Sequence, residues 1–461
     1  MKRYFICILM LGILFGGVSV LSYGQQKSTA PNAVSENVIS VGLKNADIIG
    51  SDNRAIQAAI DMVAMRGGGT VHILPGEYIL EDALHLQSNI HLTGDGPDKT
   101  VLKHAPSVAS PLLKDADIGQ KEATPKDPSQ FKVGMGIVIR SDKYQNDMST
   151  RPLTITRIEN GVLYFNNYVE YDFTADYDGP EKVVGGGIVT NIFPMIWGFG
   201  VKNVTVEGLT VDSKVEDKPG WMNDVWTGGV CIERSQNCNI TNVKAINTRG
   251  DGILIVTCEH VTVEKCEGAN NSHHGFHTGS HSPWTIIRHC VSHDNGSDGI
   301  YICCGVRESE FTDNEVYHNG FGLIRNGISI GHKDVDNLIA RNHIYNNAKD
   351  GIRFRTKTEP NGPHRTKVID NVIENNGLAG AKVRGAGIHI CGIVHDITIE
   401  NNTIRDTRQG AERLQVNAVF IEQGVSRVKM VNNKISGHPE AAIVDNSKSP
   451  DNQLQVIAKT E

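Results

Sequence analysis

The sequence predicts an all-β fold: a right-handed parallel β-helix, wound as a single solenoid. Three observations carry this reading. One short phrase recurs from about residue 229 to 444, a Gly or Ala followed by apolar, any, apolar, any. It reads Gly229-Val-Cys-Ile-Glu, Gly252-Ile-Leu-Ile-Val, Gly275-Phe-His-Thr-Gly, Gly299-Ile-Tyr-Ile-Cys, Gly327-Ile-Ser-Ile-Gly, Gly351-Ile-Arg-Phe-Arg, Gly387-Ile-His-Ile-Cys, Ala418-Val-Phe-Ile-Glu and Ala442-Ile-Val. Its spacings are 23, 23, 24, 28, 24, 36, 31 and 24 residues. A period in the low twenties with occasional insertions marks a solenoid whose insertions are loops on one face. Finally, a second apolar phrase follows each first one (Asn203-Val-Thr-Val, His260-Val-Thr-Val, Asn337-Leu-Ile-Ala, Asp396-Ile-Thr-Ile), and an Asn marks the turn behind it. Asn314, Asn342, Asn371, Asn402 and Asn433 form that column, with Cys266 and Cys290 continuing it. It predicts an internal ladder of side chains bonded to the turns of neighbouring coils. A helical solenoid would need amphipathic runs of ten or more residues without these glycines.

In chain order, residues 1–24 read as a secretory signal peptide. Lys2 and Arg3 precede an apolar run from Tyr4 to Leu21, and Ser22-Tyr-Gly24 offers small residues for cleavage. The alternative is an uncleaved anchor, because the run approaches spanning length. No later segment is long and apolar enough to cross a bilayer. The mature chain is therefore expected to be secreted or periplasmic, with no membrane contact after cleavage. Residues 25–45 read as a polar linker. Residues 46–110 supply the cap and the first coils: Ser51-Asp-Asn-Arg starts a helix with an apolar stripe, followed by a Gly-rich turn at Gly67 and a strand ending in Pro75-Gly-Glu-Tyr78. A cap there covers strand edges that an open end would leave unpaired. Residues 111–195 break the period and read as an inserted β subdomain. Residues 196–455 form the β-helix proper.

Composition narrows the function. The formal net charge is −7, which gives no bulk attraction for nucleic acid. Of nine cysteines, Cys7 lies in the signal and none falls in a Cys-x-x-Cys pair, so no zinc site is expected and no disulfide is assigned.

The strand period of two places the residues two and four after each Gly on the outer face. His277, Tyr301, Arg353 and His389 then form one outward row, with Arg355 beside it and Lys333 and His332 at the end of their strand. A solvated face would mix Thr, Ser, Lys, Glu and Asn. This concentration of His, Tyr and Arg predicts a cleft. His273, His274, His281, Asp298, Lys357 and Glu359 crowd its flanking turns. Trp221, Asp224 and Trp226, on the loop from Asp212 to Gly228, suit stacking on sugar rings.

The central row holds cations and proton carriers but no carboxylates. Asp251, Asp298 and Asp350 precede strand glycines at the cleft edge. A hydrolase needs two placed carboxyl groups. Arg353 and Arg355 suit bidentate binding of a substrate carboxylate. Neutralising a uronate carboxylate acidifies its C5 proton, which His277, Tyr301 or Lys333 can exchange. The candidate catalytic residues are therefore His277, Tyr301, Lys333, Arg353 and Arg355. The candidate substrate contacts are Trp221, Asp224, Trp226, His281, Asp298, His332, Glu359 and His389.

Ala55-Ile-Gln-Ala-Ala and Gly67-Gly-Gly-Thr-Val resemble the start of the pectate-lyase-like β-helix superfamily, a resemblance that covers roughly residues 46–450. The runs Gly275-Phe-His-Thr-Gly-Ser-His, His293-Asp-Asn-Gly-Ser-Asp-Gly-Ile and Tyr317-His-Asn-Gly resemble the modules of alginate C5-epimerases and their lyase relatives. Where those enzymes carry Tyr-Gly-Phe-Asp-Pro-His, this chain has His274, Gly275, Phe276, His277, Thr278 and Gly279. Asn326-Gly-Ile-Ser-Ile-Gly and Gly351-Ile-Arg-Phe-Arg-Thr resemble polygalacturonase motifs, with Asn326 in place of a His and Ser297-Asp298 in place of an Asp pair. There Arg353 and Arg355 match the cations that bind the uronate carboxylate. These resemblances imply an anionic polysaccharide or oligosaccharide as partner. The expected reaction is β-elimination by a polysaccharide lyase. Glycoside hydrolysis through Asp298 with Asp224 or Glu359, C5-epimerisation, and a non-catalytic glycan-binding solenoid are the alternatives. Lyases of this fold often use Ca²⁺ to hold the carboxylate. Asp334 and Asp336 are the candidate ligands, without a Ca²⁺-loop signature.

Overall fold

The structure, a computed structural model, describes residues 37–141, 149–175, 186–213, 228–378 and 383–457. The expected signal peptide and the loop bearing Trp221, Asp224 and Trp226 lie outside the described residues. Among the described residues no helix is long and apolar enough to cross a membrane.

From Asn37 onward the chain winds as a right-handed parallel β-helix. The Gly-led phrases form one continuous parallel sheet, from Ile196–Phe199 through Val230–Glu233, Ile253–Val256, Phe276–Gly279, Ile300–Cys303, Ile328–Gly331 and Ile352–Phe354 to Gly385–Ile390 and beyond. Its register stacks Leu254, His277, Tyr301, Ser329, Arg353, His389 and Phe420 as direct neighbours. The row read from the period is therefore a physical row. Inward residues of each strand, such as Ile253, Phe276, Ile300, Ile328 and Ile352, fill one long apolar core.

The first strand, Val38–Gly42, pairs in parallel with Gly69–Ile73. This shortens the expected linker, because Ile39 and Val41 are already core residues. The helix Asn53–Met65 starts at Asp52, whose carboxylate accepts from the Arg54 and Ala55 amides. Ile56, Ala59, Ile60 and Val63 bury its apolar stripe over the first coils, closing that end of the core.

The column of turn asparagines is a ladder. Each Oδ1 accepts from both the backbone N–H and the side-chain Nδ2 of the Asn one coil earlier, at 2.9–3.0 Å from Asn314 through Asn342, Asn371 and Asn402 to Asn433. Cys290 and Cys266 continue the stack as buried thiols. A second ladder runs along another turn through Asn271, Asn295, Asn319, Asn347, Asn376 and Gln415. Asn342→Ala takes the side-chain partner from the buried Asn314 amide and from the Phe311 carbonyl, and leaves Asn314 Nδ2 with the Ile287 carbonyl as its one remaining acceptor. Uncompensated buried groups cost about 1–3 kcal/mol each, less what local water recovers. We expect a loss of about 3 kcal/mol in the urea-unfolding free energy. An unchanged midpoint would show that the ladder is not structural.

An antiparallel sheet built from six strands between Ala109–Pro111 and Gly187–Thr190 interrupts the coils, close to the expected insertion. It has its own core around Leu112, Ile137, Leu153 and Phe173. Arg151 latches it to the β-helix, donating to buried Glu233 at 2.6 and 2.9 Å and pairing with Glu170. Trp197 packs over Cys231, Leu254 and Val256. That cover explains why the outward row is apolar on these coils and becomes polar only at His277.

Candidate functional site

Where the cover ends, a cleft of about 630 Å³ opens over the polar row. His273, His274, His277, Asp298, Tyr301, Arg353 and Arg355 line it, joined by Cys303, Asn326 and Ser329, and by Tyr171 from the inserted subdomain. Fully buried Asp251 lies beneath. Its Oδ2 faces His277 Nδ1 at 2.7 Å and its Oδ1 faces His273 Nδ1 at 2.8 Å, while Oδ1 also accepts the His274 amide at 3.0 Å. Burial alone would raise this carboxyl, but the charges of His273 and His277 outweigh it and hold it well below the ordinary range. A carboxylate on Nδ1 fixes the imidazole proton there and makes Nε2 the basic nitrogen. His277 Nε2 points toward Gly279, where a Cβ would come within 2.9 Å of it. The missing side chain keeps that nitrogen clear.

Tyr301 is held between two groups. The His274 ring stacks on it with centroids 4.1 Å apart, and the Arg355 guanidinium carbon lies 4.1 Å from its ring centre on a cation–π contact. The His277 ring meets it edge-on at 4.9 Å. Burial drives the phenol well above its usual pKa, against the opposing pull of Arg355. Tyr301 is thus a protonated phenol at neutral pH. Burial, with the charge of His273, pushes His274 well below an ordinary imidazole and keeps it neutral. It serves as a wall rather than a cation.

The two arginines differ. Arg353 donates to Asp350 at 2.6 Å and approaches His389 Nδ1 at 2.9 Å, so its charge is shared with its own strand. Arg355 donates to the Ile302 carbonyl at 2.7 Å and lies 3.8 Å from Asp334. Its Nη1 is covered and has no hydrogen-bond partner among the described residues. Asp298 accepts from Ser329 Oγ at 2.5 Å and from the amide and side chain of Asn326 at 3.0 and 2.9 Å. These bonds order the cleft wall.

The other candidates lie elsewhere. Lys333 and His281 line a second cavity of about 570 Å³ with Glu359, away from His277. Glu359 faces His364 and His395 at 3.3 and 3.0 Å. His389 stands one coil beyond Arg353, over a small cavity of about 190 Å³ with Phe420, and its Nε2 faces Glu422 at 2.9 Å. Burial opposes its protonation, but the hydrogen bond to Asp350 helps raise its pKa to about 10. His332 sits at the cleft rim, with Lys357 Nζ 3.0 Å from its Nε2.

For calcium, the expected pair does not fit. Ca²⁺ takes six to eight oxygen ligands. Asp334 already accepts from the amides of Gly305, Val306 and Gly331, and Asp336 is gripped by both nitrogens of Arg365 at 2.6 and 2.8 Å. Among the described residues, Asp251, His274 and His277 also bring ligand atoms together.

Sequence reasoning placed Asp251 only at the cleft edge and gave it no role. The signal was the column directly before each Gly: Asp251, His274, Asp298, Asn326 and Asp350 occupy it in turn. Tyr171 carried no comparable signal, since it arrives from the insertion.

Comparison with known proteins agrees with this architecture. Residues 228–392 match the description "Right handed beta helix region" and residues 35–180 match "Rhamnogalacturonase A/epimerase, pectate lyase-like". The mannuronan C5-epimerase AlgE5 of Azotobacter vinelandii is 22% identical over 363 residues, covering 77% of this chain. The chain spans about a quarter of the length of that relative, with 25% of it covered. The solved A-module of the Azotobacter vinelandii mannuronan C-5 epimerase AlgE4 superposes with a TM-score of 0.55 at 16% identity, over 90% of this chain and 98% of the module. The Dettilon tailspike protein superposes with the same TM-score at 13% identity, over 90% of this chain and 66% of the tailspike. At such identities the likeness is one of fold. Register, core and family matches agree that the chain folds as a right-handed parallel β-helix, and its N-terminal third is similar to a pectate-lyase-like family model.

Proposed function

We propose that this chain is an enzyme that acts on a uronate-containing polysaccharide and inverts C5 of a uronate residue. One observation carries the reading: His277, oriented by buried Asp251, stands against a protonated Tyr301 that is itself clamped by Arg355. Arg355 meets the uronate carboxylate and makes the C5 proton more acidic. His277 Nε2 removes that proton. Water on the open side of the cleft returns a proton to the opposite face of C5, and the His277 imidazolium releases its own proton to solvent, which completes the inversion. The similarity to proteins named mannuronan C5-epimerases supports inversion over the alternatives.

β-Elimination is the second reading, and it shares the first step. It is favoured by the placement of His277 and Tyr301 side by side on one wall, where the phenol can protonate the leaving oxygen on the face that lost the proton. Hydrolysis has less support, because Asp251 and Asp298 are both engaged by neighbouring side chains.

Incubation with mannuronan and other uronans in deuterated water separates these outcomes. Inversion gives new C5-epimer proton signals with deuterium at C5. Elimination gives the ultraviolet absorbance of an unsaturated uronate. New reducing ends with neither signal would overturn both readings. Arg355→Lys keeps the charge but loses the planar fork, and we expect kcat/KM to fall about 10²-fold. Unchanged kinetics in that variant would remove Arg355 from carboxylate binding.

A further inference from the structure

At the rim of the cleft, three soft or borderline ligands converge. Cys303 ends the strand Ile300–Cys303, and Cys304 follows with a left-handed backbone (φ 69°) that turns its thiol back beside its neighbour. The two Sγ atoms are 3.1 Å apart. His332, at the end of the next strand, also has a left-handed backbone (φ 67°) and points Nδ1 at both sulfurs, 3.8 Å from Cys303 and 3.5 Å from Cys304. Cys303 is buried, whereas Cys304 and His332 are exposed and leave a way in.

We propose that Cys303, Cys304 and His332 form a binding site for a thiophilic d¹⁰ cation of the Zn²⁺ type. Tetrahedral Zn²⁺, with bonds of about 2.3 Å to sulfur and about 2.05 Å to nitrogen, sets S···N edges near about 3.6 Å and S···S edges near about 3.8 Å. Both observed S···N separations fit. The sulfurs need to part by about 0.7 Å to meet that edge, and exposed Cys304 can do this by a side-chain rotation. Both cysteines line the substrate cleft, so the fourth position opens on the cleft side, as in sites that keep a place for water or a ligand.

The surroundings suit this charge. Two thiolates and a dication sum to zero, so the filled site adds no net charge to the cleft. Without metal, Lys357 donates to His332 Nε2 at 3.0 Å, which places the ring proton on Nδ1. Metal at Nδ1 requires the other tautomer, so Lys357 must turn to solvent as the ion enters. Of the other clusters, Glu359–His364–His395 is less suited. His364 Nδ1 accepts the His395 amide at 3.2 Å, which keeps a proton on the Nε2 that faces Glu359. The site does not depend on which uronan reaction the cleft performs.

The test uses the full chain, stripped of metal and kept reduced with a phosphine, titrated with Co²⁺ and then Zn²⁺. The expected result is one Co²⁺ per chain with a sulfur-to-cobalt charge-transfer band in the near ultraviolet, abolished by one equivalent of Zn²⁺. Cys303→Ser and Cys304→Ser each lose the band. His332→Ala retains a weaker band and binds about tenfold less tightly. Circular dichroism establishes that each variant is folded. No binding, or bound Co²⁺ without the charge-transfer band, overturns the proposal; the latter places the ion at one of the histidine–carboxylate clusters. A band that survives in the Cys303→Ser/Cys304→Ser double variant overturns it as well.

Discussion

His277→Ala lowers kcat on the uronan substrate by about 10³-fold, the usual contribution of a positioned general base. KM should change little, because the carboxylate contact belongs to Arg355. The fold should survive, since His277 lies on the outward row and Asp251 keeps its bond to His273. The truncated side chain leaves space beside Gly279 large enough for a small base. Added imidazole should therefore restore part of the activity, with a rate that follows the concentration of its neutral form. A loss without rescue and with a shifted melting temperature would assign His277 a structural role. Full activity in His277→Ala would remove the proposed base and with it both proton-abstraction readings.

The fold was legible because its repeat is enforced coil by coil. The core-facing positions after each Gly must be apolar, and the Asn column must satisfy buried turns, so both leave a period in the sequence. The second ladder escaped notice because Asn271, Asn295 and Asn319 sit within polar loop text such as Asn270-Asn-Ser-His-His, where one more Asn does not stand out. The row of His277, Tyr301, Arg353 and His389 followed from the strand period alone. What period cannot show is depth. Asp251 looked like a turn residue, yet it lies under two histidines because the residue before each Gly turns beneath the following strand. Lys333 looked like a neighbour of Arg353, but its backbone is left-handed (φ 65°) and it lines the second cavity instead. Single-residue changes of direction at strand ends leave no periodic trace.

Asp251→Asn should cost nearly as much activity as His277→Ala, about 10³-fold in kcat, for a different reason. Asn presents one acceptor and one donor where the carboxylate presents two acceptors. One of the two imidazoles must then reverse its tautomer, and the charge that supports an imidazolium at His277 is gone. The pH–rate profile of residual activity should move its acidic limb to lower pH, because without the neighbouring carboxylate His277 holds its proton less tightly and becomes a free base at lower pH. Stability supplies an independent reading. The wild-type carboxyl is held well below its unfolded value of 3.8. Its contribution is therefore fully present above the unfolded carboxyl's range and drains as pH falls toward the folded value, since the unfolded chain then binds a proton that the folded chain does not. Asp251→Asn lacks this part of the acid response. Urea midpoints measured at about pH 6 and about pH 3 should fall less in the variant than in the wild type. Equal falls would show that Asp251 does not hold its charge against the histidines, and the oriented base at His277 would lose its anchor.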